Sequence, residues 1–191
     1  MIETLPLAKK EEFNKLFLNI AENLDITETQ FNNLTRSYNA VGKYLEDDPN
    51  FKDYHPVVTP QGSLRLGTII QPITEDGDID VDLVYRLIGK HSNWTQKHIK
   101  HMVGQRLKSH GTYCEMLDKE EGRRCWTLLY RQNSDNTHER YHMGILPCVA
   151  DVRFNANLEQ VRNKAFSSIK LDDIAIRITD NKAVNYETST I

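Results

Sequence analysis

Three aspartates occupy alternate positions, Asp78, Asp80 and Asp82, in a short segment that is otherwise apolar. Side chains of a β-strand alternate between two faces, so the carboxylates would share one face while the intervening apolar side chains face the core. Like charges about 7 Å apart along a strand repel one another, and solvent or a cation in front of them relieves the repulsion. The spacing therefore predicts a strand that carries either a divalent-cation site or a solvated acidic edge.

A second feature precedes the aspartates. Gln61-Gly62-Ser63 lies between a predicted short strand at residues 57–59 and a short segment of ambiguous pattern. A Gly-Ser turn lets backbone N–H groups and a hydroxyl approach phosphate oxygens. Such pairs are common in loops, so this one gains meaning only from the order strand, Gly-Ser turn, loop and Asp-x-Asp strand. That order predicts a phosphate-binding turn opposite a pair of metal-binding carboxylates.

These residues need a framework, which the hydrophobic pattern predicts as a mixture of helices and strands. Thr27 is the predicted N-cap of the second of two helices within the first 46 residues, and Pro49 ends that helix. Asn93 is the predicted start of a helix that runs to about residue 109, where Gly111 stops it. The other predicted elements are strands at 57–59, 79–87, 124–131, 140–149 and 174–179 and a helix at 156–170. The mixture predicts an α+β fold with a mixed central sheet flanked by helices.

Composition limits the class of protein. The chain has 191 residues, a net charge of −3 and 39% hydrophobic residues, which suits one soluble domain or slightly more. No apolar run approaches the roughly 18 residues of a membrane span, and the N-terminus does not have the pattern of a signal peptide. Three cysteines, Cys114, Cys125 and Cys148, are typical of a reducing cytosol. We therefore expect a cytoplasmic protein with no membrane association and no strong DNA-binding signature.

Five spaced segments carry a resemblance to a known family. They are QGSLRLGT at 61–68, DIDVDLV at 78–84, RCWTL at 124–128, YHMGILP at 141–147 and IRITDN at 176–181. In this order they resemble the bacterial cGAS/DncV-like nucleotidyltransferases, the SMODS group of antiphage systems, within the superfamily of poly(A) polymerases and oligoadenylate synthases. The resemblance implies a polymerase-β-like nucleotidyltransferase fold, with residues 56–191 as the core and residues 1–55 as a helical segment that packs on it.

The resemblance also implies a chemistry. In that family divalent ions, Mg²⁺ or Mn²⁺, hold a nucleoside triphosphate while a ribose hydroxyl attacks the α-phosphorus and expels pyrophosphate. It places the metal-binding and catalytic aspartates at Asp80 and Asp82, and the nucleotide-binding turn at Gln61, Gly62 and Ser63. The implied function is synthesis of cyclic di- or oligonucleotide messengers from triphosphates, ATP among them, in bacterial antiphage signalling. The implied partners are a nucleotide-gated effector and, in some systems, a regulatory protein.

The resemblance breaks at Gly144, where the family carries a third carboxylate that ligates metal and serves as the base. Without it, we expect one metal and triphosphate to bind but the chemical step to slow by roughly two or more orders of magnitude. Asp151 cannot substitute, because it lies about 23 Å further along a strand and has the opposite parity. His142 has the right parity and is a weaker alternative base. Gly144 is either natural in a degenerate copy or an altered residue.

Two alternatives to a working synthase stay open. The chain stops at Ile191, where the family continues into a helical lobe, so the core is expected to be truncated before that lobe. One alternative is therefore a catalytically impaired or truncated lobe that binds nucleotide and metal without turnover. The other is a small nucleotidyltransferase that modifies a protein or a tRNA.

Other side chains carry weaker signals. Arg65 and the pair Arg123-Arg124 are candidate contacts for triphosphate oxygens, since a guanidinium suits phosphate. His98 and His101 lie three residues apart on a predicted helix, with two cysteines downstream. Their spacing matches no compact zinc module, so a solvated helix face is the favoured interpretation.

Overall fold

A computed structural model describes residues 6–74, 77–134, 136, 139–151, 154 and 175–188. The helices in this part of the chain are α1 (Leu7–Leu24), α2 (Glu28–Glu46), α3 (Gly62–Leu66), α4 (Gln96–Lys108) and α5 (Gly111–Met116), with a short 3-10 helix at Lys52–Tyr54. The strands are β1 (Val57–Gln61), β2 (Ile79–Leu87), β3 (Trp126–Tyr130), β4 (Tyr141–Ala150) and β5 (Ile176–Ile178). The helix predicted at 156–170 lies outside the described residues.

The strands form one mixed sheet in the order β1-β2-β4-β3, and β5 also pairs with β4. The two central strands, β2 and β4, are parallel. β1 runs antiparallel to β2, while β3 and β5 run antiparallel to β4 and pair with its first and last residues respectively. The predicted mixed sheet flanked by helices is confirmed, and its two central strands are the ones that carry the acidic segment and Gly144.

One hydrophobic core joins the sheet to the helices α2 and α4. The apolar positions between and after the aspartates of β2 are fully or almost fully buried in it. Further core side chains come from β4, α2 and α4, among them Met143, Ile145, Leu34, Val41, Leu45, Ile99, Val103 and Leu107, and β3 adds Trp126 and Leu128. Asp80 and Asp82 lie on the opposite face of β2, where they are exposed.

Helix α2 begins at the predicted cap. The Thr27 side chain accepts a hydrogen bond from the Gln30 backbone N–H, and the Gln30 side chain accepts one from the Thr27 backbone, which is a complete capping box. α2 packs on the sheet through four buried residues, whereas α1 has no buried residue. No helix within the described ranges has both the length and the apolar character to cross a membrane.

Three predicted boundaries were wrong. The predicted break at 60–63 comes too early, because β1 continues through Gln61. Helix α4 is capped by Thr95, not Asn93, since the Thr95 hydroxyl accepts from the backbone N–H of His98. Gly111 does not end a helical region but begins α5, where the His110 side chain caps the first turn. A glycine after a helix is compatible with either role, and only the caps distinguish them.

Candidate functional site

Strand β2 exposes two carboxylates on one face. Asp80 and Asp82 are solvent-exposed, while the apolar residues that alternate with them are buried. This is the arrangement that the period-2 pattern predicts, because every second side chain of the strand is buried in the core. The sheet thus presents the two carboxylates together, on the side away from the α2 and α4 core.

The Gly-Ser turn lies directly against Asp82. In the antiparallel pair of β1 and β2, Gln61 is the partner of Asp82, and the chain then turns at Gly62 into α3. Gly62 has a φ of +60°, and a Cβ at this position would lie 2.8 Å from Asp82 Oδ2. Both the backbone conformation and the close approach require glycine. The turn formed by Gln61, Gly62 and Ser63 and the Asp80/Asp82 pair therefore line one shared surface, while their functional roles stay a prediction.

Gly144 lies beside the same carboxylate. The parallel register of β2 and β4 pairs Asp82 with Gly144, and a Cβ on Gly144 would lie 3.4 Å from Asp82 Oδ1 and 3.9 Å from Cys125 Sγ. Asp151, at the far end of β4, instead accepts a hydrogen bond from Arg177 Nε at 2.8 Å. The position next to Asp82 therefore has room for a Cβ but offers no carboxylate.

The sequence did not reveal that His142 binds Asp80. Its Nε2 lies 2.9 Å from Asp80 Oδ1, because these residues are paired across β2 and β4. On the other side of the ring, Nδ1 lies 4.0 Å from Asp78 Oδ2, and that oxygen accepts a hydrogen bond from Gln132 Nε2 at 2.9 Å. The strand parity of His142 was a usable signal, whereas nothing local marks Gln132, which follows β3.

The two carboxyl groups have opposite pKa shifts. The hydrogen bond from His142 lowers the pKa of Asp80 below its ordinary value, and the same bond raises the pKa of His142. Partial burial raises the pKa of Asp82, and the negative charge of Asp80 adds to the effect. The charge of His142 only partly opposes these effects, and no described residue forms an ion pair with Asp82, so a cation at this face would relieve an electrostatic cost there.

The donor set fits a divalent cation that arrives with other ligands. Carboxylate oxygens are the ligands that Mg²⁺ and Mn²⁺ prefer. Over the described part of the chain, no three or more His, Cys, Asp or Glu side chains are grouped to hold a metal ion by themselves. Mg²⁺ commonly binds one or two protein carboxylates and takes its remaining ligands from phosphates and water. The pair Asp80 and Asp82 suits that mode rather than a closed protein cage.

Arg123 and Arg124 have a partner within the protein. Arg123 Nη2 lies 2.8 Å from Asp180 Oδ2, and Arg124 Nε lies 3.4 Å from the same oxygen. These contacts hold the pKa of Asp180 well below its ordinary value. The Gln96 side chain also accepts a hydrogen bond from the Asp180 backbone N–H. The arginines thus bind the segment after β5 to the segment before β3, a role that the sequence did not indicate.

A separate cavity of about 550 Å³ lies near the start of the two central strands. Ile79 and Tyr141, which help to line it, alternate with Asp80 and His142 along their strands. The cavity is therefore on the other face of the sheet from the carboxylates.

The sequence of the chain matches a known protein family. The family model of the Second Messenger Oligonucleotide or Dinucleotide Synthetase domain matches residues 12–167. The chain belongs to this family. The resemblance drawn from the sequence motifs is thereby confirmed, and the nucleotidyltransferase character of this synthetase domain with it.

One curated relative of the synthetase domain is a c-di-GMP synthase of Roseivirga ehrenbergii, 26% identical over 156 residues. That alignment covers 81% of this chain and 39% of the relative. The chain therefore spans less than half the length of the curated relative that it matches.

Solved structures share the fold. Vibrio cholerae DncV cyclic AMP-GMP synthase, in complex with the linear intermediate pppA(3′,5′)pG, superposes with a TM-score of 0.60 at 13% identity, over 86% of this chain and 54% of DncV. The Bradyrhizobium diazoefficiens nucleotidyltransferase CdnG, in complex with GTP, has a TM-score of 0.50 at 19% identity, over 66% of this chain and 34% of CdnG. The predicted polymerase-β-like nucleotidyltransferase fold is confirmed.

Proposed function

We propose that this synthetase domain binds a nucleoside triphosphate together with Mg²⁺ or Mn²⁺, as the nucleotide-binding lobe of an enzyme that makes cyclic di- or oligonucleotide messengers. The observation that carries the proposal is the close approach of the Gly62 turn to Asp82, which puts the backbone of the turn next to the exposed carboxylates. The family, and the c-di-GMP and cyclic AMP-GMP products named for its relatives, support the same reaction class.

Each element of the site has a part in binding. The bare backbone of Gly62 lets phosphate oxygens come close, and Ser63 adds a hydroxyl donor, with Gln61 at the edge of the turn. Asp80 and Asp82 would hold the cation. A cation bound there neutralises triphosphate charge and makes the α-phosphorus more electrophilic. ATP is the proposed first substrate, and the antiphage role, the cytoplasmic setting and a nucleotide-gated effector belong to the same proposal.

The transfer step needs an acceptor for one proton. As the ribose oxygen bonds to the α-phosphorus, the bond to the bridging oxygen breaks, pyrophosphate leaves, and the hydroxyl proton must pass to a base. Gly144 offers no base beside Asp82, and the Nε2 of His142 is already bonded to Asp80. We therefore expect this chain to bind nucleotide well but to turn it over slowly. Its turnover rate should be lower by roughly two or more orders of magnitude than that of a chain with a carboxylate at position 144.

The second candidate function is a domain that binds nucleotide and does no chemistry. It is favoured by one observation, the glycine at the position paired with Asp82. In this case nucleotide binding itself is the output of the domain. The two candidates share the binding site, so binding is the property to measure first.

Calorimetric titration with ATP and Mg²⁺ tests the proposed function. We expect saturable binding that needs the cation and that falls by at least about 10-fold in Asp82→Asn, because a carboxylate ligand is lost. Asp53→Asn, which removes an exposed acid from the 3-10 helix, is the matched control and should leave affinity unchanged. Equal binding by the Asp82 variant and the parent chain would show that the nucleotide site lies elsewhere.

A further inference from the structure

A chain of polar side chains leads from the end of β3 to the outer carboxylate of the site. Gln132 donates to Asp78 Oδ2 at 2.9 Å, the His142 ring lies between Asp78 and Asp80, and His142 Nε2 contacts Asp80 Oδ1 at 2.9 Å. The side chains become more exposed toward the site, from 19% for Asp78 through 38% for His142 to 61% for Asp80. The chain thus links a partly buried anchor to an exposed carboxylate.

The backbone fixes where this ring can lie. His142 is the cross-strand partner of Asp80 on β2 and of Leu129 on β3, so the ring has a neighbour on both sides of its own strand. Its contact with Asp78 is 4.0 Å, too long for a direct hydrogen bond but close enough for electrostatic attraction. The ring therefore lies between Asp78 and Asp80, with Leu129 at the paired position on β3, while the Asp80 side chain is exposed.

We propose that His142 is a positioning residue that orients the Asp80 carboxylate for the cation, with Asp78 and Gln132 holding the His142 ring in turn. The hydrogen bond engages Oδ1 of Asp80 and leaves its second oxygen for coordination. The proposal rests on the proposed function, since it takes Asp80 to be a cation ligand. It assigns a task to Asp78, the third aspartate of the acidic segment, which the binding site itself does not use.

The physical reason is preorganisation. An exposed carboxylate that is not held must give up rotamer freedom when a cation binds, and a partner that holds it in advance removes that cost. Loss of an outer partner of a metal ligand typically costs about 10- to 100-fold in metal affinity. The orientation of Asp80 should affect cation affinity more in this site than in one with three carboxylates, because Gly144 contributes no ligand.

Mn²⁺ binding in the presence of a non-hydrolysable ATP analogue tests the proposal, with the electron paramagnetic resonance signal of free Mn²⁺ as the readout. We expect His142→Ala to weaken Mn²⁺ binding by about 10-fold. His142→Gln should recover most of the affinity, because the Gln Nε2 can donate to Asp80 from a similar position. Asp78→Asn should give a smaller loss, and His101→Ala, an exposed histidine on α4, should give none.

The outcomes separate the two proposals. Equal or tighter Mn²⁺ binding by His142→Ala overturns the positioning role, since the ring would then be a bystander or a competitor for Asp80. If Asp82→Asn leaves Mn²⁺ binding unchanged, the proposed function itself fails. Should His142→Ala not fold, Asp78→Asn and Gln132→Leu take its place, and unchanged affinity in both overturns the proposal.

Discussion

Gly144 lies directly across from Asp82 on the two parallel central strands, and the Cβ of any larger residue there would be 3.4 Å from Asp82 Oδ1. That distance is ordinary van der Waals contact, and the extended backbone at Gly144 accepts any residue type. Neither the backbone nor the contacts of a Cβ therefore require glycine at this position. Its consequence is chemical, because the site has two carboxylates and none at the position paired with Asp82.

Gly144→Asp is expected to strengthen the site. A third carboxylate beside Asp82 should tighten Mn²⁺ binding and raise conversion of radiolabelled triphosphates by about two orders of magnitude or more. Without metal the variant should be less stable than the parent, because a further negative charge repels Asp82.

Gly144→Asn is the matched control, since it has nearly the same shape and no charge. A gain by the Asn variant equal to that of the Asp variant would contradict the carboxylate argument. Absence of any gain in Mn²⁺ affinity and turnover with Asp would instead favour the domain that only binds nucleotide.

Gly62→Ala is expected to damage both stability and nucleotide binding. At a φ of +60° an alanine costs about 1–2 kcal/mol of strain. Its Cβ would also lie only 2.8 Å from Asp82 Oδ2, so the carboxylate would have to move. Thermal unfolding and ATP·Mg²⁺ titration measure the two effects.

Gly67→Ala provides the control for strain alone. Gly67 has a φ of +67° and no atom within 4 Å of its Cβ position. We expect it to lose stability to a similar extent and to keep its nucleotide affinity. If both variants bind ATP equally well, the close approach of Gly62 to Asp82 does not contribute to nucleotide binding.

Gly104→Ala is expected to destabilise the core. Helix α4 crosses the Trp126 ring so closely that a Cβ on Gly104 would overlap the indole ring. Overpacking of this kind costs about 1–3 kcal/mol or more, because the ring or the helix must shift. Chemical unfolding followed by tryptophan fluorescence measures the loss of stability.

Gly111→Ala is the control, since its Cβ position is open space, and it should be neutral or slightly stabilising. Equal losses of stability in both variants would refute the packing explanation.

The pair of Asp80 and His142 is expected to give a pH-dependent contribution to stability. The pKa of His142 is raised, so its contribution is present below the unfolded value of about 6.5 and is lost as pH rises through the folded value. The pKa of Asp80 is lowered, so its contribution is present above about pH 4 and is lost as pH falls further. Stabilisation by the pair is therefore greatest between about pH 4 and about pH 6.5 and declines as pH rises through the pKa of His142.

NMR titration of the imidazole signals measures this directly. In Asp80→Asn the pKa of His142 should fall toward its ordinary value, because the negative charge is gone. Mg²⁺ and ATP should lower it as well, since a cation on Asp80 opposes a proton on His142. A pKa of His142 that does not change between the parent chain and Asp80→Asn would exclude the ion pair in solution.

The sequence by itself determined the local features of the site. Strand alternation places Asp80 and Asp82 on one face because the core takes the residues between them, and Thr27 caps α2 through a bond within four residues. Its spaced motifs also identified the family. It misplaced the start of α4 and missed α5, because Thr95, Asn93 and Gly111 are all compatible with more than one turn geometry until the caps form.

Tertiary structure alone decided which distant residues touch. The antiparallel register of β1 and β2 brings Gly62 onto Asp82, and the parallel register of β2 and β4 sets His142 beside Asp80 and Gly144 beside Asp82. Asp180 likewise finds Arg123 and Arg124 across 57 and 56 residues of chain. Register is set by how the whole core packs, and a shift of one residue in β2 would turn Asp80 and Asp82 to the other face.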